Sequence, residues 1–241
     1  MYIYGKNAAI ESLKTNRNIK KIFLLKKEKG FLNDTLNMLI KGRKIEVIEL
    51  TQLELNTKFG TNHQGIVIEV EDYAYTQLDQ MIEKLKNKEN VTLVILDGLE
   101  DPHNLGAIMR TADATGVDGI IIPKNRTVSV NQTVAKVSTG AIEYVKVSQV
   151  TNLVQTIKKL KVAGYWVIGL DMQGSIDYRK QDYKGKIVVI IGSEGFGISR
   201  LVKENCDFFV HIPMIGHITS LNASVSAGII FYEIMRNRFE Y

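Results

Sequence analysis

The stretch VTLVIL at residues 91–96 decides the fold class of this 241-residue chain. A continuous apolar strand of this kind is typical of a parallel sheet that is buried on both faces. Downstream of it, predicted helices alternate with short apolar strands at 119–122, 166–170, 187–191 and 208–212. This alternation predicts an α/β domain, a parallel sheet with helices on both faces.

A smaller α/β unit precedes this sheet. Apolar stretches at 19–25, 45–48 and 66–70 read as strands, and helical spacing predicts a helix over 31–40. The segment that follows, 71–90, is polar and mostly helical, and it is the natural place for a domain boundary. The predicted divisions are a small domain at 1–72, a linker at 73–90 and a large domain at 91–241.

Composition excludes several classes of protein. The chain is 45% hydrophobic and 24% charged, which is ordinary for a globular protein. Its single cysteine, Cys206, excludes an internal disulfide, and its four histidines lack metal-ligand spacing, so we expect no metal. No apolar run reaches the roughly 18 residues that a membrane span needs, and the N-terminal stretch has no signal-peptide pattern. We therefore expect a cytoplasmic protein without a membrane segment.

The positive charge of the chain is concentrated near its start. Residues 1–60 carry 12 Lys and Arg against 6 Asp and Glu, whereas residues 61–241 carry 19 against 20. A localised positive surface favours binding of a polyanion such as RNA, because neutralised phosphates release counterions. The alternative is a solvated lysine-rich surface without a partner.

The first candidate motif follows the strand at 91–96 and ends at Arg110. Asp101 before Pro102 is a good helix start, because Asp accepts from free N–H groups and Pro suits the first turn. His103 and Arg110 are seven residues apart, so they lie on nearly the same stripe of that helix. An arginine in this small, apolar run indicates either a surface salt bridge or a guanidinium that binds phosphate.

The second candidate motif is the glycine-rich turn GSEGFG at residues 192–197, directly after a buried strand. Its spacing differs from the dinucleotide fingerprint, and no Gly-Lys-Ser/Thr follows to make a phosphate loop. A plain tight turn would explain the glycines, which also allow a ligand to approach the backbone. Glu194 inside the turn favours a binding role.

The third candidate motif is SLN at residues 220–222, at the start of a helix predicted over 222–236. Ser220 and Asn222 both suit a helix cap, and the small residues after them suit close helix packing. A place in a binding site is the alternative. The sequence indicates no Ser-His-Asp or Cys-His nucleophile.

In order and spacing, the three motifs together resemble the SpoU (TrmH) family of RNA ribose 2′-O-methyltransferases, part of the knotted SPOUT superfamily. The resemblance covers residues 91–238. The N-terminal part is similar to the small ribosomal-protein-like RNA-binding domain of bacterial rRNA members, and the stretch NHQGIV at 62–67 is typical of that junction.

The resemblance implies a deep trefoil knot near the C-terminus and a homodimer with the terminal helix at its interface. It also implies S-adenosylmethionine as the methyl donor, bound in the knot. The residues that it assigns to the donor are Thr139, Gly140, Leu170, Gly192, Ile212 and Leu221. The residues that it assigns to the chemistry are Asn104, Arg110, Glu194, Ser220 and Asn222.

The implied reaction needs a ribose hydroxyl to be oriented at the methyl group and to lose its proton as it attacks. A guanidinium does not readily deprotonate in a protein, so we expect Arg110 to hold the target phosphate and to stabilise the developing alkoxide. Asn104, Ser220 and Asn222 are expected to orient the ribose and the loop backbone, and Glu194 to fix Arg110 or the substrate.

The sequence thus predicts an enzyme that methylates a guanosine ribose of large-subunit (23S) ribosomal RNA. The same reaction on tRNA and a catalytically silent RNA-binding assembly factor are the alternatives. From the sequence pattern alone, a fragment that starts near Val91 is expected to retain the methyl-donor site.

Overall fold

A computed structural model describes residues 1–15, 17–26, 31–172 and 174–239, with the side chains of 31–33 left out. The chain folds into two compact units. The small unit consists of residues 1–74 and 130–144, and the large unit consists of residues 75–129 and 145–241.

Short strands and helices alternate along the chain. The strands are β1 (Tyr2–Tyr4), β2 (Ile19–Leu25), β3 (Glu46–Leu50), β4 (Ile66–Val70), β5 (Val91–Asp97), β6 (Gly119–Pro123), β7 (Val147–Val150), β8 (Trp166–Leu170), β9 (Ile176–Asp177), β10 (Lys186–Gly192) and β11 (Phe208–His211). The α-helices are α1 (Lys6–Lys14), α2 (Phe31–Ile40), α3 (Gln52–Phe59), α4 (Leu78–Leu85), α5 (Pro102–Thr115), α6 (Gln132–Val137), α7 (Leu153–Val162), α8 (Arg200–Lys203) and α9 (Ala223–Arg238).

The large unit is built on a seven-stranded sheet in the order β7-β6-β5-β10-β8-β11-β9. Every neighbouring pair in this sheet is parallel, which confirms the predicted fold class. The central position of β5 explains its continuous apolar sequence, because both of its faces are covered. The trefoil knot implied by the resemblance stays a prediction.

Helices cover both faces of this sheet. Val91, Leu93 and Ile95 of β5 belong to a buried cluster that includes residues of α4, α7 and α8. Because side chains alternate along a strand, Thr92 faces the other side. There it accepts a hydrogen bond from Arg238 at the end of α9, and α9 itself packs against α5. None of the helices in the described ranges has the length and hydropathy to cross a membrane.

The small unit has a four-stranded sheet in the order β1-β4-β2-β3, in which β4 runs antiparallel to β1 and β2. Phe23, Leu55 and Val67 form the centre of one of its apolar clusters. Thr51 begins α3 with a capping box, in which its side chain and that of Glu54 each bond the other's backbone N–H. The predicted domain 91–241 included residues 130–144, which the structure groups with the small unit.

Several elements differ from the sequence prediction. The strand expected at 45–48 is β3, which runs from Glu46 to Leu50, and the helix expected over 222–236 is α9, which runs from Ala223 to Arg238. The elements β1, α1 and β9 were not predicted. Ala8, Ala9 and Leu13 of α1 are buried at helical spacing, but this face is too short and too polar to stand out as a pattern.

Arg238 ties the C-terminal helix to the amino ends of β5 and β10. Its guanidinium donates to Thr92 Oγ1 (2.8 Å) and to the backbone oxygens of Val91 (3.1 Å), Tyr183 (2.9 Å) and Gly185 (3.0 Å). Burial lowers the pKa of Arg238. The Arg238 cation is therefore held by neutral oxygens in a partly desolvated place. Removing any of these hydrogen bonds is expected to lower the stability of the fold.

We expect Arg238→Ala to lower the free energy of unfolding by about 2–3 kcal/mol, because a hydrogen bond to a charged group contributes on the order of 1.5–3 kcal/mol. Urea denaturation measures this change as a shift in midpoint. Arg200→Ala is the control, since it removes only an exposed pair with Glu204 worth at most about 0.5 kcal/mol. Equal midpoints for the two variants would contradict the role given to Arg238.

Candidate active site

A cavity of about 360 Å³ lies at the carboxyl ends of β8, β10 and β11 in the large unit. Ligands of open parallel sheets bind at this edge. Predicted site residues line the cavity from three directions. Leu170 and Gly192 come from the ends of β8 and β10, whereas Ile212, Ser220 and Leu221 come from the segment between β11 and α9.

Three predicted polar residues form one hydrogen-bonded group beside this cavity. Glu194 Oε1 accepts from Asn104 Nδ2 (2.9 Å), from Asn222 Nδ2 (2.6 Å) and from the backbone N–H of Ala223 (3.3 Å). Asn222 Nδ2 also donates to Asn104 Oδ1 (3.0 Å). The group joins all three sequence motifs, although its members are 28 to 118 positions apart in the chain.

Local structure holds the two asparagines in place. Asn222 is the N-cap of α9, where its Oδ1 accepts from the N–H groups of Ser224 (2.9 Å) and Val225 (3.3 Å). Asn104 is buried in the first turn of α5, which begins where Asp101 accepts from the N–H of His103 (2.8 Å). The side chain of Asn222 therefore caps α9 and also takes part in the hydrogen-bonded group. The two roles considered for this residue from the sequence are compatible.

The glycine-rich turn is closed on itself. Ser193 and Gly197 exchange two backbone hydrogen bonds of 2.8 and 3.2 Å. A Cβ atom on Gly192 would lie 2.1 Å from the carbonyl carbon of Gly197 and 2.3 Å from the nitrogen of Ile198. Residue 192 must therefore be glycine, because any Cβ atom would collide with the far side of the turn. This turn carries Glu194, whose side chain reaches the two asparagines.

Arg110 lies on α5 with an exposed side chain. Within the described parts of the chain it makes no ion pair or hydrogen bond. The surface salt bridge considered from the sequence is thus not formed there. Glu194 bonds the asparagines rather than Arg110, so the structure gives no support to the expectation that Glu194 fixes this arginine.

Two of the residues assigned to the methyl donor lie in the other unit. Thr139 and Gly140 belong to the small unit and are not among the residues that line the cavity. Both have positive φ angles, 53° and 101° respectively. Their role in donor binding stays a prediction, as do the roles of the other site residues.

The cavity also has lining residues that the sequence analysis missed. Among them, Asp171 and Met172 directly follow β8, and the rule that sites follow the strands of a parallel sheet could have found them. Asp171 pairs with Lys203 at 2.5 Å. His211, whose Nδ1 lies 2.8 Å from Ser175 Oγ, ends β11 and could have been found in the same way. Other missed lining residues are Ser193, Met214, Thr219, Ala223 and Ser226.

Neither a metal centre nor a cysteine nucleophile is available in the described structure. No group of three or more His, Cys, Asp or Glu side chains that could hold a metal ion occurs in the described ranges. Burial raises the pKa of the Cys206 thiol to about 12. The thiolate is the nucleophilic form of cysteine, so a cysteine that stays protonated reacts weakly.

Two stretches of the chain match known family models. Residues 91–232 match the SpoU rRNA Methylase family, and residues 2–76 match the model for RNA 2′-O ribose methyltransferase substrate binding. A Staphylococcus haemolyticus protein described as a TrmH family tRNA/rRNA methyltransferase is 47% identical over 242 residues. The match covers 99% of this chain and 96% of that protein.

Solved structures agree with these matches. The AdoMet-bound rRNA methyltransferase of Sinorhizobium meliloti matches with a TM-score of 0.84 and 26% identity, over 99% of this chain and 88% of that chain. The A. aeolicus TrmH/SpoU tRNA modifying enzyme matches with a TM-score of 0.58 and 31% identity, over 67% of this chain and 82% of that chain. The chain therefore belongs to the SpoU rRNA methylase family and is an RNA methyltransferase of the SpoU/TrmH type.

Proposed function

We propose that this protein acts in the cytoplasm and transfers the methyl group of S-adenosylmethionine to the ribose 2′-hydroxyl of a guanosine in 23S ribosomal RNA. The observation that carries the proposal is the hydrogen-bonded group of Asn104, Glu194 and Asn222 beside the cavity. This group places residues of all three motifs at one edge of the sheet, together with an exposed arginine on α5.

The cavity suits a methyl donor with an adenosine part and a charged amino-acid part. Its volume falls within the roughly 300–1,000 Å³ that small-molecule sites occupy. Leu170, Ile212 and Leu221 offer apolar contacts, whereas Asp171 and Glu194 offer carboxylates. Within the described chain, residues 213–221 form no backbone–backbone hydrogen bond, so their polar groups are available to a ligand.

When bound, the donor supplies an activated methyl group, and the residues of the chain bind and orient the RNA. Arg110 is exposed and unpaired in the described structure, so its guanidinium is available to a phosphate of the substrate. A planar guanidinium binds phosphate through two parallel hydrogen bonds. The same cation stabilises the negative charge that develops on the attacking ribose oxygen.

Glu194 has a positioning role in this mechanism. Its Oε1 already accepts three N–H groups, so it fixes both asparagines and the start of α9. Ser220, exposed in the same segment as the cavity-lining Leu221, orients the ribose. The proton of the 2′-hydroxyl leaves through the bound phosphate or through water.

Two observations favour ribosomal RNA over tRNA. The structure of the S. meliloti rRNA methyltransferase matches 99% of this chain, whereas the A. aeolicus tRNA modifying enzyme matches 67%. The basic excess also lies in residues 1–60, within the region that matches the substrate-binding model. A silent assembly factor is the weaker alternative, because it has no reason to keep Asn104, Arg110, Glu194 and Asn222 together.

We further propose that the protein acts as a homodimer through α9. Val225 and Tyr232 of this helix are about half exposed, at 50% and 53%. They are seven residues apart, so they lie on nearly the same stripe of the helix, which a second copy of the chain would cover.

The substrate is tested by mapping 2′-O-methyl groups in RNA from cells that lack the gene. We expect one guanosine of 23S ribosomal RNA to lose its methyl group, and a plasmid copy to restore it. A copy that carries Asn104→Ala should fail to restore it, because the group with Glu194 is lost. Loss of a methyl group from tRNA would select the alternative substrate, and an unchanged RNA would refute the proposed activity.

A further inference from the structure

Phe196, in the turn at 192–197 of the large unit, lies almost wholly in solvent, with 95% of the residue exposed. The residues on both sides of it, Gly195 and Gly197, line the cavity at the carboxyl ends of β8, β10 and β11. Single exposed apolar side chains are common on protein surfaces. Phe196 differs from most of them because it stands at the edge of the candidate active site.

The geometry of the turn does not account for a phenylalanine at this position. Turns favour Gly, Pro, Asn, Asp and Ser, because these residues adopt turn conformations or bond to the nearby backbone. The positive φ angle within the turn falls on Gly197, at 64°. Nothing in the backbone conformation of Phe196 therefore favours an aromatic side chain, and its ring is available for a contact outside the chain.

The backbone of the turn is fixed on both sides of the ring. Ser193 and Gly197 exchange two backbone hydrogen bonds, and Glu194 Oε1 accepts three N–H groups. Just past the turn, the N–H of Ser199 donates to Oδ2 of Asp97 (2.8 Å) at the end of β5. A ring on such a support contacts a ligand with little further ordering of the backbone, which lowers the entropic cost of binding.

The charge of the turn favours a nucleobase over a phosphate as the group that meets this ring. The turn at 192–197 contains the carboxylate of Glu194 and no lysine or arginine. This carboxylate repels a phosphate, whereas a base is neutral and has a flat π face. Aromatic side chains stack on the unpaired bases of RNA in this way.

We infer that Phe196 stacks on a base of the RNA substrate, beside the cavity that is proposed to hold the methyl donor. The inference rests on the proposed function, in which the ribose lies close to the group of Asn104, Glu194 and Asn222. Phe196 is two residues from Glu194, so their Cα atoms are at most about 7 Å apart. A base attached to that ribose or to the next one is within reach of the ring.

The test compares full-length Phe196→Ala with the wild type, on 23S ribosomal RNA from cells that lack the gene. We expect the KM for RNA to rise about fivefold to a hundredfold, because one stacked base is lost. The kcat at saturating RNA and the Kd for S-adenosylhomocysteine should stay near those of the wild type. Trp166→Ala is the matched control, since Trp166 is an exposed aromatic residue at the start of β8, on the opposite edge of the sheet.

Filter binding at several salt concentrations separates a stacked base from a phosphate contact. Each phosphate contact that is lost lowers the salt dependence of binding by about one counterion, whereas stacking releases none. We expect Phe196→Ala to bind RNA more weakly at every salt concentration with the slope of the wild type. A flatter slope would mean that the residue acts on phosphate contacts, and would overturn the inference.

Two further variants separate the flat ring from its apolar character. Phe196→Tyr keeps an aromatic face and should keep a KM for RNA near that of the wild type. Phe196→Leu keeps an apolar side chain without that face and should behave like the alanine variant. Full recovery of the KM in the leucine variant would contradict stacking.

The other possible occupants of this position give different results. A higher Kd for S-adenosylhomocysteine in Phe196→Ala would mean that the ring covers the donor, and a monomeric variant in analytical ultracentrifugation would mean that it covers a second copy. Either result would overturn the inference, as would a KM for RNA equal to that of the wild type.

The wild type itself separates these results from a failure of the proposed function. If it methylates tRNA instead of 23S ribosomal RNA, the proposed substrate is wrong and the same variants are compared on tRNA. If it methylates either RNA and Phe196→Ala does so with an unchanged KM, only the inference fails. If it methylates neither, the proposed function fails and the inference fails with it.

Discussion

Arg110→Ala is expected to lower the rate of methyl transfer by about 10²–10³-fold while the affinity for S-adenosylhomocysteine stays near that of the wild type. The reason is its proposed place in the mechanism, on the RNA side, where its exposed guanidinium would bind phosphate and stabilise the developing alkoxide. Single-turnover transfer from labelled donor to ribosomal RNA measures the rate, and calorimetry measures the affinity.

Arg110→Lys should also be poor, because an ammonium keeps the charge but lacks the planar pair of donors. Arg200→Ala is the matched control, an exposed arginine of the same unit that pairs with Glu204. A lysine variant with most of the wild-type rate would rule out the bidentate phosphate contact. Loss of donor affinity in Arg110→Ala would mean that Arg110 lies on the donor side of the site, which contradicts the proposed role.

The second large effect is expected for Asn222→Asp, with a loss of about 10²-fold in methyl transfer at neutral pH. The change keeps an acceptor for the cap of α9 but replaces the amide N–H group that lies 2.6 Å from Glu194 Oε1 with a carboxylate oxygen. Two facing carboxylates repel each other, and the group with Asn104 is expected to open.

This variant should have its own pH dependence. Repulsion raises the pKa of one carboxylate in the folded protein above its unfolded value. Protonation of that group then stabilises the fold, so the defect is complete above the raised pKa and decreases as the pH falls through it. Rates relative to wild type, measured from about pH 8 to about pH 5, should therefore rise toward low pH.

Asn152→Asp provides the matched control, because Asn152 caps α7 by accepting from the N–H of Gln155. It makes the same substitution at a helix cap and is expected to leave the rate unchanged. A flat pH profile for Asn222→Asp, equal to that of the control, would mean that Glu194 and Asn222 do not act together.

The parallel sheet was predictable from the sequence because its signal is local. The run at 91–96 is apolar on both covered faces except at Thr92, and β2, β4 and β8 have the bounds that their apolar stretches predicted. Only the resemblance suggested that the three motifs act together. No periodicity links Asn104 to Asn222, which are 118 residues apart and meet through side-chain amides.

The grouping of residues 130–144 with the small unit lay beyond the sequence analysis for a different reason. It depends on tertiary contacts such as those of Glu143, which accepts from Ser12 and Arg17 but looks like any surface glutamate in a one-dimensional pattern. Arg110 shows the opposite case. From the sequence, Arg110 could form a surface salt bridge or bind phosphate. In the described structure no acidic side chain pairs with it, so the salt bridge is not formed there.

The order in which the site residues occur along the chain has a consequence for synthesis on the ribosome. The centre of the large sheet stays open between β5 and β8 until β10 is made, because β10 lies between them. Asn104 is translated early, but its partners Glu194 and Asn222 follow 90 and 118 residues later. Since chains emerge from the N-terminus at roughly 5–20 residues per second, the nascent protein lacks the assembled group for several seconds. Asn222 and α9 are made after every strand of the large sheet, so the hydrogen-bonded group is completed only after the sheet that carries it.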